Sequence, residues 1–385
     1  MLKYKSFIFS SILLTFFAGC SQKVEKFPNI SKANFQQSSW DDIEGFNKDN
    51  FDIALDVFKK DCKASKKYEN LKDVCEKSYL ESNPKTFFMT NFTPYKLISD
   101  DNSDNGLITG YYEPLLHGNL EKTNRYKFPV YSVPKDLLTI DLSSAYPTLK
   151  DMRLRGKIVG NKVIPYDTRE YIDKIDSKNS NNMKIICYVD NKIDLFFLHI
   201  QGSGKVKLPN GDILNIGYAQ QNGRKYFAIG KKLIDDGYIK KEDISLQTIK
   251  AWLLKNPQRV DEILNLNPSY VFFNQSEKTA TGSLGTQLTA NRNLAVDRKY
   301  IPLGYPVFIN TTNPINNKPI NKLMVAADTG GAIKGKIRAD FFFGNGELAE
   351  ELAGKMKQPG KLYIFIPKLA NSGHKSEVSI NKLNN

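Results

Sequence analysis

Apolar residues recur along the chain in successive regimes, each with its own period. From residue 40 to about 83 the spacing is helical: Ile53, Leu55, Val57 and Phe58 in one segment, then Tyr68, Leu71, Val74, Cys75 and Tyr79 at intervals near three and four. Residues 87–95 are short and aromatic. A polar loop over 100–105 then leads into Leu107-Ile108-Thr109-Gly110-Tyr111-Tyr112-Glu113-Pro114, which reads as a strand broken by Gly110 and stopped by Pro114. From 115 to about 207, short apolar runs alternate with Gly, Pro, Asn and Asp turns. KFPVYSVP, GKIVGNKVIPY, KIICYV and IDLFFLHIQGSG are all strand candidates with few helical stretches between them, so the pattern predicts an all-β barrel here.

The pattern next turns helical. Residues 225–236 end at Gly237, and 245–256 carry Leu246, Ile249, Trp252 and Leu253 on one face. Pro257 opens a third helix after an Asn256 cap, with Val260, Ile263 and Leu264 inward. These are core stripes, and Trp252 reads as packing rather than as a sugar platform. Strands resume at Tyr270-Val271-Phe272-Phe273 and continue through Leu294-Ala295-Val296-Asp297-Arg298, residues 301–309 and residues 324–344. A last helix over 347–357 places Leu348, Leu352 and Met356 at four-residue steps, before Gly360 and the strand LYIFIP. The polar tail over 369–385 is expected to be disordered.

Residues 324–344, MVAADTGGAIKGKIRADFFFG, concentrate the chemistry. One apolar run delivers Asp328 into a Thr-Gly-Gly turn, and a second carries Asp340 just before Phe341, Phe342 and Phe343. In the strand period Asp340 shares a face with Phe342, an apolar setting that raises a carboxyl pKa and suits a general acid acting on a glycosidic oxygen. The competing reading makes both residues turn aspartates that cap backbone N–H groups. Gly330 to Lys336 has the spacing of a phosphate loop. However, Ile337 stands where Ser or Thr would ligate magnesium, and a strand-like run follows instead of a helix, so nucleotide binding is rejected. Gln201-Gly202-Ser203-Gly204 lacks the first glycine of a nucleophile elbow. It is either a tight turn or a source of hydrogen bonds to sugar hydroxyls from Gln201 and Ser203.

At 385 residues the chain can bury two cores. The net charge of +14 points to an acidic partner or surface, but the lysines are spread along the chain, which argues against nucleic acid. At the N-terminus, Lys3 and Lys5 precede an apolar run over 7–18 that closes with Ala18-Gly19-Cys20-Ser21. Such a run is too short for a membrane span and reads as an export signal. It resembles a bacterial lipoprotein signal over 1–20, with Cys20 lipidated and Ser21 matching the outer-membrane sorting type. The mature chain would face the periplasm, tethered through residues 21–39 to the inner leaflet of the outer membrane. In that oxidising compartment Cys62 and Cys75 are expected to pair, and Cys187 reads as buried and free. His117, His199 and His374 are isolated, so neither a metal nor a cofactor is expected.

Asp297, Asp328 and Asp340 stand out in the C-terminal β region. With them come Thr109-Gly110-Tyr111-Tyr112-Glu113-Pro114, His199-Ile200-Gln201-Gly202-Ser203-Gly204, Asn267-Pro268-Ser269-Tyr270-Val271-Phe272-Phe273 and Ile301-Pro302-Leu303-Gly304. In this order the chain resembles the membrane-bound lytic murein transglycosylase A family with its three-aspartate domain, over roughly residues 85–368. The resemblance implies a six-stranded double-psi β-barrel from 40–113 and 267–368, N-terminal helices included. A smaller β-barrel with a helical segment, 114–266, would be inserted into it, with a glycan groove at the junction. The implied reaction is cleavage between N-acetylmuramic acid and N-acetylglucosamine without water, leaving a 1,6-anhydro sugar. Asp340 would be the catalytic aspartate and Asp328 would orient or tune it. Thr109, Gly110, Tyr111, Tyr112, Gln201, Gly202, Ser203, Gly204, Asp297 and Lys334 are the implied glycan contacts. The implied partners are peptidoglycan strands and cell-wall synthesis or division proteins, with the chain a monomer. A departure is Ala327, where the family would suggest Gln. Two rivals remain open: a hydrolase using Asp328 with Asp340, and a barrel that binds glycan without cleaving it.

Overall fold

The computed structural model describes residues 34–368 apart from 66–67, 150–151, 153, 176–181 and 278–279. Cys20, the signal over 1–20, most of the expected tether and the tail over 369–385 lie outside the described residues.

The N-terminal segment is more ordered than its polarity suggests. β1 (Asn34–Gln37) belongs to the stretch expected as tether, yet it pairs antiparallel with β2 (Phe92–Ile98) as an edge strand. Between them lie α1 (Phe51–Ser65), α2 (Glu69–Ser78) and α3 (Pro84–Asn91), and Cys62 of α1 is bonded to Cys75 of α2. The short aromatic run divides in two. Asn83 caps α3 by accepting the Thr86 N–H at 3.0 Å, Phe87 and Phe88 turn inward on the helix, and Phe92 starts the strand. Phe58, Phe87, Phe88 and Phe92 then stack edge-on or tilted, with centroids 5.1–6.0 Å apart.

The larger sheet has eight strands in the order β1-β2-β17-β14-β15-β13-β16-β3. Besides β1 and β2 these are β3 (Gly106–Glu113), β13 (Asn293–Val296), β14 (Pro306–Thr312), β15 (Pro319–Asp328), β16 (Arg338–Asn345) and β17 (Lys357–Pro367). The first residues of β17 pair with β3 and later ones with β14, so the succession β17-β14-β15-β13-β16-β3 returns on itself. Most neighbours are antiparallel, but β13 with β15 and β16 with β3 are parallel. α9 (Glu347–Lys355) packs across β3 and β16. That approach leaves no room for a side chain at Gly110, where an added Cβ would lie 2.6 Å from the Phe343 ring and 2.9 Å from the Ala353 backbone.

The second region comprises β4 (Leu115–Asn119), β5 (Phe128–Tyr131), β9 (Ile185–Val189), β10 (Gly204–Lys207), β11 (Ile213–Gln221) and β12 (Val271–Ser276). They form a six-stranded sheet in the order β12-β11-β10-β4-β9-β5. β6 (Leu138–Thr139), β7 (Arg155–Val159) and β8 (Lys162–Pro165) form a separate three-stranded sheet. The region is not all-β. Besides α4 (Arg169–Asp173), the run IDLFFLHIQ forms α5 (Lys192–Gln201), where a strand was expected. Asn191 starts α5 by accepting the N–H groups of Ile193 and Asp194, and Gly202 ends it at φ 81°. α5 carries apolar residues on two faces because both are buried, while Lys192 and Asp194 stay partly open. Leu195 and Leu198 pack on the sheet, while Ile193, Phe196 and Phe197 pack on α6 (Ile229–Asp235), α7 (Leu246–Lys255) and α8 (Val260–Asn265). A helix buried on both sides loses the amphipathic period that would reveal it. β12 is a second correction: it falls within 267–368, yet it pairs with β11 in this sheet and not with the larger one.

The chain leaves the larger sheet through Glu113-Pro114 and returns after β12. Both crossings meet at the buried Glu113, whose Oε1 accepts the Ala280 N–H at 2.9 Å while Oε2 lies 3.5 Å from Lys205 Nζ.

Candidate active site

Strand register brings the two carboxylates together. Asp340 on β16 is the direct neighbour of Ala295 on β13 and of Thr109 on β3, and Ala295 is in turn the neighbour of Asp328 on β15. Asp328, Ala295, Asp340 and Thr109 therefore form a row across the sheet, and direct neighbours point to the same face. Two strand spacings put the aspartate Cα atoms about 10 Å apart. The small Ala295 lies between them. A bulge places Asp328 in the row: Leu294 faces Ala326, but the next residue, Ala295, faces Asp328, so Ala327 is the extra residue that re-aims the carboxylate.

Asp340 is desolvated without being sealed. Burial raises its pKa to about 6, against the hydrogen bond from Thr109 Oγ1 to Oδ1 (2.6 Å) and the nearby Arg338 charge, which lower it; the charge of Asp328 adds to the rise. Part of its surface stays open to solvent. Asp328 is raised by burial as well, but Oδ1 accepts three hydrogen bonds that oppose the rise, from Ser283 N–H (2.9 Å), Ser283 Oγ (2.8 Å) and Thr329 N–H (2.8 Å). A carboxyl gripped this way on one oxygen is held in place and is poorly suited to swing toward a sugar carbon. Tyr111, on the same face as Thr109, lies over Phe342 with centroids 5.0 Å apart. Its buried hydroxyl is close enough to both aspartates for its pKa to be driven well up, chiefly by burial and then by their charges.

The other sequence candidates divide by position. Asp297 is buried, and its oxygens accept the Lys299 N–H at 3.2 Å and the Gly335 N–H at 3.0 Å, so it moors the loop on which Lys334 is exposed. Tyr112 faces away from Asp340, and its N–H donates to Gln201 Oε1 at 3.2 Å, which ties α5 to β3. Gly202 ends α5, and Gly204 sits where a Cβ would come within 2.5 Å of Leu198 and 2.9 Å of the Pro114 carbonyl. Ser203 lies between them, half-buried. Two residues at the site were missed from sequence. Ser283 lies in a polar stretch with no period. Arg338 was legible only through its two-residue offset from Asp340, which places both on one face of a strand. No group of His, Cys, Asp and Glu side chains suited to a metal ion occurs among the described residues.

Comparison with known proteins bears on this arrangement. Residues 107–274 match the MltA specific insert domain, and residues 292–366 match the 3D domain. The membrane-bound lytic murein transglycosylase A of Escherichia coli K12 is 32% identical over 273 residues, 69% of this chain and 67% of that protein. Among solved structures, the monoclinic form of MltA from Neisseria gonorrhoeae superposes with a TM-score of 0.76 at 35% identity, covering 89% of this chain and 93% of that one. The structure of E. coli MltA with bound chitohexaose superposes with a TM-score of 0.65 at 25% identity, covering 83% and 90%. The second match runs from β13 into β17 and so contains Asp328 and Asp340. The chain belongs to the membrane-bound lytic murein transglycosylase A family.

Proposed function

We infer that this protein is a lytic transglycosylase of peptidoglycan, cleaving the β-1,4 bond between N-acetylmuramic acid and N-acetylglucosamine and leaving a 1,6-anhydromuramic end. Asp340 is its single acid and base. Protonated Asp340 gives its proton to the glycosidic oxygen as the bond from the muramic C1 breaks. The C6 hydroxyl of the same sugar then closes on C1, and its proton passes to the Asp340 carboxylate, which restores the acid. No water is consumed. The observation that carries this reading is the placement of Asp340, with a pKa near 6, partly open to solvent, and with one oxygen bonded by Thr109. At that pKa the group is both a competent acid and a competent base near neutral pH. A hydrolase would need a second carboxylate, about 5–9.5 Å away, to attack the sugar or activate water. Three hydrogen bonds on Asp328 Oδ1 favour a supporting role for it instead.

The returning succession of strands in the larger sheet supports a six-stranded double-psi β-barrel built from β3 and β13–β17. The domain boundary then falls at Pro114 on the way out and after β12 on the way back, and the groove lies beside the Glu113 crossing. Lys334, exposed on the loop moored by Asp297, is the groove residue best placed to meet sugar, with Thr109 and Tyr111 beside Asp340 beneath it. Among the described residues no helix is long and apolar enough to cross a membrane. The signal-like segment ending at Cys20 supports a periplasmic chain held to the outer membrane by lipid.

Digestion of purified sacculi followed by mass analysis tests the reaction. The expected muropeptides lack one water and have no reducing end, whereas hydrated, reducible products would make the enzyme a hydrolase. Asp340→Asn is expected to release no soluble muropeptide while still sedimenting with sacculi, and an active variant would remove Asp340 from the role of acid.

A further inference from the structure

Thr109 stands between a group that can only donate and the carboxyl that must act as acid. Arg338 Nη2 lies 2.8 Å from Thr109 Oγ1, and Oγ1 lies 2.6 Å from Asp340 Oδ1. A guanidinium has no acceptor, so Thr109 Oγ1 receives the Arg338 hydrogen, and Asp340 Oδ1 is the acceptor that satisfies its own single hydrogen. If the acid proton sat on Oδ1 and pointed at Thr109, the hydroxyl would have to accept it on its second lone pair and turn its own hydrogen away, giving up the bond to Oδ1. Arg338 is itself fixed, since Nη1 donates to the Ala339 carbonyl at 2.5 Å, and it reaches Asp340 through the threonine rather than as a direct ion pair. Oδ1 is the Asp340 oxygen engaged by the protein in this chain of bonds.

We propose that Arg338 is a positioning residue that, acting through the Thr109 hydroxyl, confines the acid proton of Asp340 to Oδ2, so that both proton transfers of the reaction run through that one oxygen. The proposal rests on the reading of Asp340 as the acid. It gives Thr109 a role distinct from sugar contact, because its hydroxyl is already committed as acceptor to Arg338 and donor to Asp340. Balance is kept: the proton leaves Oδ2 for the glycosidic oxygen, and the C6 hydroxyl proton returns to Oδ2, while the Arg338–Thr109–Oδ1 bonds stay made throughout.

The test is the pH profile of anhydromuropeptide release, with kcat and KM separated. Arg338→Gln offers an acceptor to which the Thr109 hydrogen can turn, which frees the wrong protonation state. It should cost about tenfold in the low-pH plateau of kcat, the worth of roughly one hydrogen bond, with KM little changed. Arg338→Lys, which like arginine only donates, should lose several-fold less. Thr109→Val should lose as much as Arg338→Gln, and Thr109→Ser clearly less. In the Thr109→Val background Arg338→Gln should have no further effect on the plateau, because both act on the same proton. The alkaline limb of Arg338→Gln should move to higher pH, since the charge that lowers the Asp340 pKa is gone. Losses that multiply in the double variant, or equal losses in Lys and Gln at 338, would overturn the proposal, and melting curves identify any variant that fails to fold. If Arg338→Gln does not fold, the Ser and Val variants at 109 combined with Arg338→Lys carry the same comparison. Should Asp340→Asn prove active, the reading of the acid fails. Should it be inactive while the losses multiply, only the relay fails.

Discussion

At the scale of single residues, the pKa of Asp340 has a consequence for stability as well as for rate. A carboxyl near 6 in the folded chain, against about 3.9 when unfolded, means that between those values the folded state binds more protons. Folding is therefore penalised progressively as pH rises from about 4 to about 6, and the penalty stays in place above. Two units correspond to roughly 3 kcal/mol, discounted to about 1–2 kcal/mol because Asp340 retains some contact with solvent. Asp340→Asn removes the penalty. Its melting temperature should exceed that of the parent by a few degrees near pH 7.5 and match it near pH 4. A less stable variant at pH 7.5 would show that Asp340 is not desolvated. Activity of the parent should fall as pH rises through about 6, as the acid loses its proton.

At the scale of elements, the site depends on a helix pair that does not touch it. Asp61, wholly buried on α1, accepts from Thr286 Oγ1 at 2.7 Å and from Asn293 Nδ2 at 2.8 Å, and Lys60 donates to Thr289 Oγ1 at 2.6 Å. These bonds moor the segment 280–289, which presents Ser283 to Asp328. α1 is in turn clamped to α2 by the Cys62–Cys75 bond, which closes a short loop with a sequence separation of 13. Replacing both cysteines by serine should lower stability by about 2–3 kcal/mol. Specific activity should survive well below the melting temperature, because the buried Asp61 network remains. Unchanged melting with both serines would show that burial alone holds the helices. α5 makes a different point at this scale. Its Asn191 cap and Gly202 terminus are helix signals, but apolar residues on two of its faces concealed the period.

At the scale of the whole molecule, the net charge of +14 becomes meaningful once the partner is a glycan strand bearing peptide carboxylates. The lysines are dispersed, so their effect is a long-range field and not a patch. Binding of the inactive Asp340→Asn protein to sacculi should weaken as salt is raised from about 0.05 to about 0.5 M, where the screening length falls below roughly 5 Å. Binding indifferent to salt would assign affinity to groove contacts alone. The buried Glu113, bonded to Ala280 and beside Lys205, is the structural counterpart at this scale, since it joins the two passages of the chain between the sheets.

The local sequence was sufficient for the features governed by near neighbours. These include the helical spacing before residue 83, the strand character of residues 156–166, the helix over 245–256, and the presence of Asp340 on an aromatic strand. The order of its short motifs also carried the family. What it could not contain was anything set by register between distant strands. The row from Asp328 through Ala295 and Asp340 to Thr109 joins four strands and depends on one bulge at Ala327. The return of β17 onto β3, the assignment of β12 to the second sheet and the burial of α5 on both sides are likewise products of packing. Hydrophobic period reports whether a residue is inside, but which residues meet there is decided only when strands pair, and proton transfer depends on that meeting.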